Sequence, residues 1–140
     1  MHIPGLRIEG PDGVAWRATR RPGISWLPLH LDETSGQGQR RGGGAVLIRM
    51  DPGRGYGGHR HVGTEDVLVL AGSYCDQRGE HRQGAHVHYA AGSAHAPVAG
   101  GDAERDTGPT NPACILYVVT SEGIELLDEH EFPAEPPRQI

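Results

Sequence analysis

Apolar residues in this chain come in short runs, and glycine or proline closes almost every one. Ala45-Val46-Leu47-Ile48-Arg49-Met50 ends at Asp51-Pro52-Gly53, Asp66-Val67-Leu68-Val69-Leu70-Ala71 ends at Gly72, and Ala113 to Thr120 is fenced by Pro112. The 140 residues include 22 glycines and 11 prolines, most glycines standing singly between such runs. No stretch shows the 3.6-residue apolar period of an amphipathic helix. Many short β-rich segments joined by tight turns leave an all-β sandwich or barrel as the architecture the chain can build.

The order of elements follows from the same punctuation. Ile24 to Leu31 alternates and reads as a strand that Pro28 confines to a sheet edge, because proline donates no ladder hydrogen bond. Gly36 to Gly44 reads as a flexible connection. Asp66–Ala71 is nearly continuous in apolar character and is expected to be buried on both faces. Asp76-Gln77-Arg78-Gly79 carries a hairpin-turn signal, Gly84 to Tyr89 is a further strand, and Ala91-Gly92-Ser93 turns the chain towards His95. Ala99 to Pro112 is a surface loop. Ala113–Thr120 is the strongest strand, and Ile124–Leu127 is expected to pair with it. The whole reads as one domain over 1–140, with its core at about 15–127 and a Pro-rich tail at 128–140 that can wrap a partner subunit.

Charge and cysteine usage exclude several classes. A net charge of -5 argues against nucleic acid, which calls for a basic surface. The short arginine clusters at Arg17, Arg20 and Arg21 and at Arg40 and Arg41 read as solvated surface. No apolar run approaches the roughly 18 residues of a membrane helix. The first residues lack the charged head and apolar body of a signal peptide, so a cytoplasmic location is expected. Cys75 and Cys114 are too few for a disulfide scaffold. Unbridged buried thiols are favoured over one bridge.

The chemistry sits in two segments, Gly58-His59-Arg60-His61-Val62-Gly63-Thr64-Glu65 and Gly92-Ser93-Ala94-His95. Two residues apart on a strand, His59 and His61 put both rings on one face. Val62-Gly63-Thr64 can turn the chain so that Glu65 begins the next antiparallel strand beside them, and His95 can close the group from another strand. Three imidazoles and one carboxylate suit one divalent transition metal: Fe(II), Zn(II), Mn(II), Ni(II) or Cu(II). Four protein ligands leave positions open for water, O2 or a chelating small molecule, whereas structural zinc sites are usually closed and thiolate-rich. His86 and His88 share the His-x-His spacing but no carboxylate follows at a matching offset, so they read as an exposed strand face. His30 and His81 read as surface residues, with His30 alternatively at a pocket mouth. Trp16 and Trp26 read as core or interface packing, with pocket or dimer aromatics as the alternative.

These residues resemble the cupin superfamily. Gly53, His59, His61, Glu65 and Gly72 fall on its first motif, G-x5-H-x-H-x3-4-E-x6-G. Gly84, Gly92 and His95 fall on its second, G-x5-P-x-G-x2-H-x3-N, with Ala90 in place of the proline and Ala99 in place of the asparagine. From about Ala15 to Thr120 the chain is similar to the ChrR-like cupins, through Gly23 to Leu29, Glu65 to Gly72, Gly79-Glu80 and Gly92 to Pro97. The resemblance implies a double-stranded β-helix, or jelly roll, often a homodimer. It also implies either a metal-dependent dioxygenase of the acetylacetone-cleaving kind or the C-terminal domain of ChrR-type anti-sigma factors. The helical, zinc-binding, sigma-binding domain of those regulators has no matching His/Cys cluster near Met1.

Two functions follow as expectations. One is a dioxygenase-like enzyme acting on a small dicarbonyl or hydroxyketone, with His59, His61, His95 and Glu65 holding the metal, no further catalytic residue assigned, and Val67, Val69, Leu116 and Val118 excluding water. The other is a non-catalytic module that binds a small molecule or senses oxidants. An isomerase or sugar-related cupin is a third reading, because one fold hosts many chemistries.

Overall fold

The computed structural model describes residues 16–32, 42–122 and 124–126. Among them every regular element is a strand: β1 Arg17–Ala18, β2 Ile24–Leu31, β3 Gly42–Met50, β4 His59–His61, β5 Glu65–Ala71, β6 Ser73–Asp76, β7 Gly79–Arg82, β8 His86–Tyr89, β9 Ala94–His95, β10 Val98–Ala99, β11 Cys114–Glu122 and β12 Ile124–Leu126. A six-stranded sheet runs β1-β2-β3-β11-β5-β8, and two three-stranded sheets run β10-β6-β7 and β12-β4-β9. Every pairing is antiparallel. Side chains from all three sheets line one cavity, so the small sheets face the large one across it. The fold is the all-β sandwich that the strand pattern calls for, with its sheets packed as the jelly roll that the resemblance implies.

The core is built by alternation. On β11 Leu116 and Val118 point inward while Tyr117 and Val119 are exposed. On β3 Val46, Ile48 and Met50 reach the cavity. Strand β5 obeys the same rule, which corrects the expectation of burial on both faces: Glu65, Val67 and Val69 are buried, but Leu68 is 37% exposed. One face of the large sheet meets the small sheets and the other faces outward, so a continuous apolar run is still sorted by the period of two.

Two pairings differ from the sequence reading, and the edge position expected at Pro28 is found. Ile124–Leu126 pairs with β4, not with β11, so it adds an outer strand beside the histidines. The glycines Gly42 to Gly44 belong to β3, opposite Glu122 and Thr120, rather than to a loose connection. A side chain at Gly43 would collide with the Thr120 carbonyl, so the close approach of β11 requires glycine there. Along Pro28 strand β2 is the outer strand, since β1 covers only Ser25 and Trp26. The register slips between Pro28 and His30, where the ladder lacks a donor.

Other turns fall where the sequence puts them. Asp76 to Gly79 closes the β6–β7 hairpin. Gly72 turns the chain out of β5 with a positive φ of 68°. A Cβ there would sit 2.5 Å from the Ala113 carbonyl oxygen, so both φ and space demand glycine. Cys75 and Cys114 form no disulfide, and burial pushes the Cys114 thiol up to about 12. No described helix is long and apolar enough to cross a membrane. Arg40, Arg41, Leu127 and the Pro-rich 128–140 segment lie outside the described residues.

Candidate metal centre

Strand register brings the ligands together. In the β4–β9 pair His59 lies directly opposite His95, and His61 is two residues along on the same face. Glu65 arrives differently from the expected hairpin: β4 and β5 lie in different sheets, and Val62 to Thr64 carries the chain from one to the other. Glu65 therefore faces the three imidazoles from across the barrel. One ligand atom of each of the four residues lies within 4.8 Å of all the others, and all four residues are buried. The cluster is compatible with one metal ion.

Hydrogen bonds behind the rings show which nitrogens face inward. His59 Nδ1 lies 3.2 Å from the Gly57 carbonyl, which can only accept, so Nδ1 carries the proton. His95 Nδ1 lies 2.9 Å from Asp76 Oδ2 and donates to it in the same way. His61 Nδ1 lies 3.0 Å from Ser93 Oγ, whose own hydrogen goes to the Ala90 carbonyl at 2.6 Å. Ser93 thus accepts from His61. All three Nε2 atoms are left as bare lone pairs pointing into the site.

These lone pairs meet only other acceptors. His59 Nε2 and His95 Nε2 are 2.9 Å apart. His61 Nε2 is 3.3 Å from Glu65 Oε1 and is buried with no hydrogen-bond partner. A proton on a ring would relieve the conflict, but burial opposes charge. Burial first, then the neighbouring His95 and His61, lowers the His59 pKa to about 3. A cation is what four converging acceptors in a dry site accommodate, so the residues present fit a bound metal.

Asp76 and two tyrosines stand behind the cluster. Asp76 is completely buried at its side chain and accepts four hydrogen bonds. Oδ2 receives His95 Nδ1 at 2.9 Å and the Tyr89 hydroxyl at 2.5 Å; Oδ1 receives the Arg78 amide and His81 Nε2, each at 2.9 Å. Burial raises its pKa, but the donors His95, Tyr89 and His81 outweigh that and hold the carboxyl well below the usual range. Tyr89 gives its hydrogen to Asp76, so the Tyr74 hydroxyl, 2.6 Å away, donates to Tyr89. Burial raises the pKa of both tyrosines, and the bond to Asp76 adds to it for Tyr89. The Tyr89 ring packs on His61 and His95, with centroids at 5.0 and 4.4 Å. Tyr56 packs edge-on to His59, and burial, then the Glu65 charge, raises its pKa.

The ligands open onto a cavity of about 410 Å3. Its walls are mainly apolar, with Trp26, Val46, Ile48, Met50, Leu116 and Val118 among them. Val67 also lines it, as expected, whereas Val69 packs in the core instead. The guanidinium of Arg17 lies 5.2 Å from the Trp26 ring, and Glu65 is the carboxylate in the lining.

The remaining histidines divide. His30 is exposed beside Asp32 and does not line the cavity. His86 and His88 are exposed, as expected, and flank Asp66 at 2.9 Å each. Their hydrogen bonds lower the Asp66 pKa. His81 departs from the surface reading: its side chain is 13% exposed and is anchored on Asp76. Asp76, Ser93, Tyr74 and Tyr89 are the residues sequence reasoning missed. Asp76 opens a hairpin and caps the Arg78 amide, so its sequence signal is that of a turn.

The jelly roll and its His/Glu cluster define the class as cupin-like. Residues 8–105 match the ChrR Cupin-like domain, and the chain belongs to that family. The chain is similar to an RmlC-like cupin protein from Ralstonia eutropha, with 20% identity over 91% of this chain and 75% of the other and a TM-score of 0.66. It is similar to the anti-sigma ChrR of Rhodobacter sphaeroides, crystallised with SigE, with 26% identity over 78% of this chain and a TM-score of 0.56. There it spans half of the ChrR chain. An acetylacetone dioxygenase from Acinetobacter johnsonii shares 14% identity over 93% of this chain and 83% of its own, with a TM-score of 0.65. No curated protein sequence matches.

Proposed function

We propose that the protein is a metal-dependent enzyme of the dioxygenase type, acting on a small dicarbonyl or hydroxyketone, with His59, His61, Glu65 and His95 as metal ligands. The observation that carries the metal is the meeting of four acceptors in a buried site, with one nitrogen left without any partner. Held by these four residues, Fe(II) would supply Lewis acidity towards a chelating enolate and a redox centre for O2. The chain's own residues do the rest. Gly57, Ser93 and Asp76 hold the three Nδ1 protons outward, so each ring presents Nε2. Trp26, Val67, Leu116 and Val118 give the cavity the apolar wall that keeps water from a small organic substrate. The likeness to an acetylacetone dioxygenase in fold supports this choice of substrate class.

The test is an oxygen-electrode screen of iron-loaded protein against β-diketones and hydroxyacetophenones. Oxygen uptake with at least one substrate, abolished in His59→Ala/His61→Ala, is the expected result. No uptake with any of them overturns the enzymatic reading. The family match to ChrR favours one second reading, a sensory module whose metal site binds a ligand without turnover. Tight binding of a diketone that changes the spectrum of the metal-loaded protein, with no product formed, is the outcome that selects it. A homodimer and a cytoplasmic location complete the proposal, and sedimentation of the purified protein checks the first.

A further inference from the structure

Of the three histidines, only His95 is backed by a carboxylate. His59 leans on a neutral carbonyl and His61 on a neutral hydroxyl. The carboxylate on His95 is Asp76, whose side chain is fully buried and receives a donor on every side. A buried charge this well satisfied persists only where the fold supports it throughout. It comes from the β6–β7 hairpin, in a different sheet from the ligands, and spans to β9. A hairpin aspartate whose only role is to cap its turn would need just the Arg78 amide. This one also takes His95, Tyr89 and His81.

We infer that Asp76 is a positioning residue for the metal centre: it holds His95 in the Nδ1–H tautomer and sets a carboxylate behind that ring, making it the strongest donor of the three imidazoles. This rests on the metal reading above. A carboxylate behind a ligating imidazole fixes ring and tautomer and raises ligand basicity, and removing such a partner typically weakens metal affinity by about 10–100-fold. Tyr89, His81 and the Arg78 amide hold the carboxylate in place, so its lone pair on the His95 side stays aimed at Nδ1. The Tyr74 ring, which lines the cavity, joins the same chain of hydroxyls to Asp76.

The test measures Co(II) and Zn(II) affinity by chelator competition for the wild type, Asp76→Asn, Ser93→Ala, His95→Ala and Asp76→Asn/His95→Ala. Asp76→Asn should weaken binding by about 10–100-fold, Ser93→Ala by less, and Asp76→Asn should have no further effect once His95 is alanine. The Co(II) absorption bands should shift in Asp76→Asn and not in a His86→Ala control, at an exposed residue outside the cluster. Asp76→Asn binding like the wild type, or weakening binding equally with and without His95, overturns the inference. Nitrogen-15 NMR of the metal-free wild type gives a readout that needs no variant: His95 must be the Nδ1–H tautomer, and an Nε2–H ring overturns the assignment. Wild-type protein that takes up neither ion overturns the metal reading itself, a failure distinct from loss of the Asp76 effect alone.

Discussion

Replacing Tyr89 by phenylalanine removes one oxygen from the centre of the network and leaves the ring that packs on His61 and His95 in place. Two hydrogen bonds go with it: the one Tyr74 donates to Tyr89, and the one Tyr89 donates to the Asp76 carboxylate. A neutral hydrogen bond is worth about 1 kcal/mol net and one to a charged group about 1.5–3, so the loss is about 2.5–4 kcal/mol. At about 3 °C per kcal/mol for a chain near this size, Tm falls by roughly 10 °C. Tyr74→Phe removes only the neutral bond and costs about 1 kcal/mol. In the Tyr89→Phe background the Tyr74 hydroxyl is a buried donor with nothing to receive it, so deleting it costs nothing further. Thermal or urea unfolding of the metal-free wild type, both single variants and the double variant closes the cycle, with a coupling of about 1 kcal/mol or more. Equal cost for the two single variants, or strict additivity, refutes the chain Tyr74–Tyr89–Asp76 as described.

Three further outcomes are expected. Saturating Zn(II) at a hundredfold excess over its Kd raises stability by about 2.7 kcal/mol in thermal denaturation, and His59→Ala/His61→Ala shows no such gain. In metal-free protein His59 is neutral when folded, with a pKa of about 3 against 6.5 unfolded, so the unfolded state binds the extra proton. Stability attributable to His59 is therefore complete above pH 6.5 and declines as pH falls towards 3. The loss is about 2 kcal/mol by pH 5. Urea titrations at pH 7.5 and 5 should show it in the wild type and not in His59→Gln. Gly72→Ala forces a positive φ on alanine and a clash with the Ala113 carbonyl, and chemical denaturation should register a cost above about 1 kcal/mol.

The candidate His/Glu cluster was legible because its geometry is mostly local. His59 and His61 share a face by the period of two, and their register against His95 follows from a short strand pairing. The place of Glu65 in the cluster was also legible, but not its route, since nothing in Val62-Gly63-Thr64 distinguishes a hairpin from a crossing between sheets. Strand β12 shows the same limit: Ile124 to Leu126 has the pattern of a strand, yet either β11 or β4 satisfies that pattern, and only the closed barrel leaves β4 as the open edge.

The residues that orient the ligands lie beyond such reasoning. Asp76 and His95 are 19 positions apart and in different sheets, joined by a contact that neither propensity nor spacing encodes. By itself the sequence determined the strands, the turns that glycine permits and the four residues of the candidate cluster, because backbone sterics and side-chain alternation act over a few residues. The tertiary structure decided which nitrogen of each ring faces the centre of the cluster, which carboxylate stands behind His95, and which face of β5 lines the cavity. Those are settled by long-range packing in a dry interior, where each donor has to find an acceptor and a misplaced one is costly.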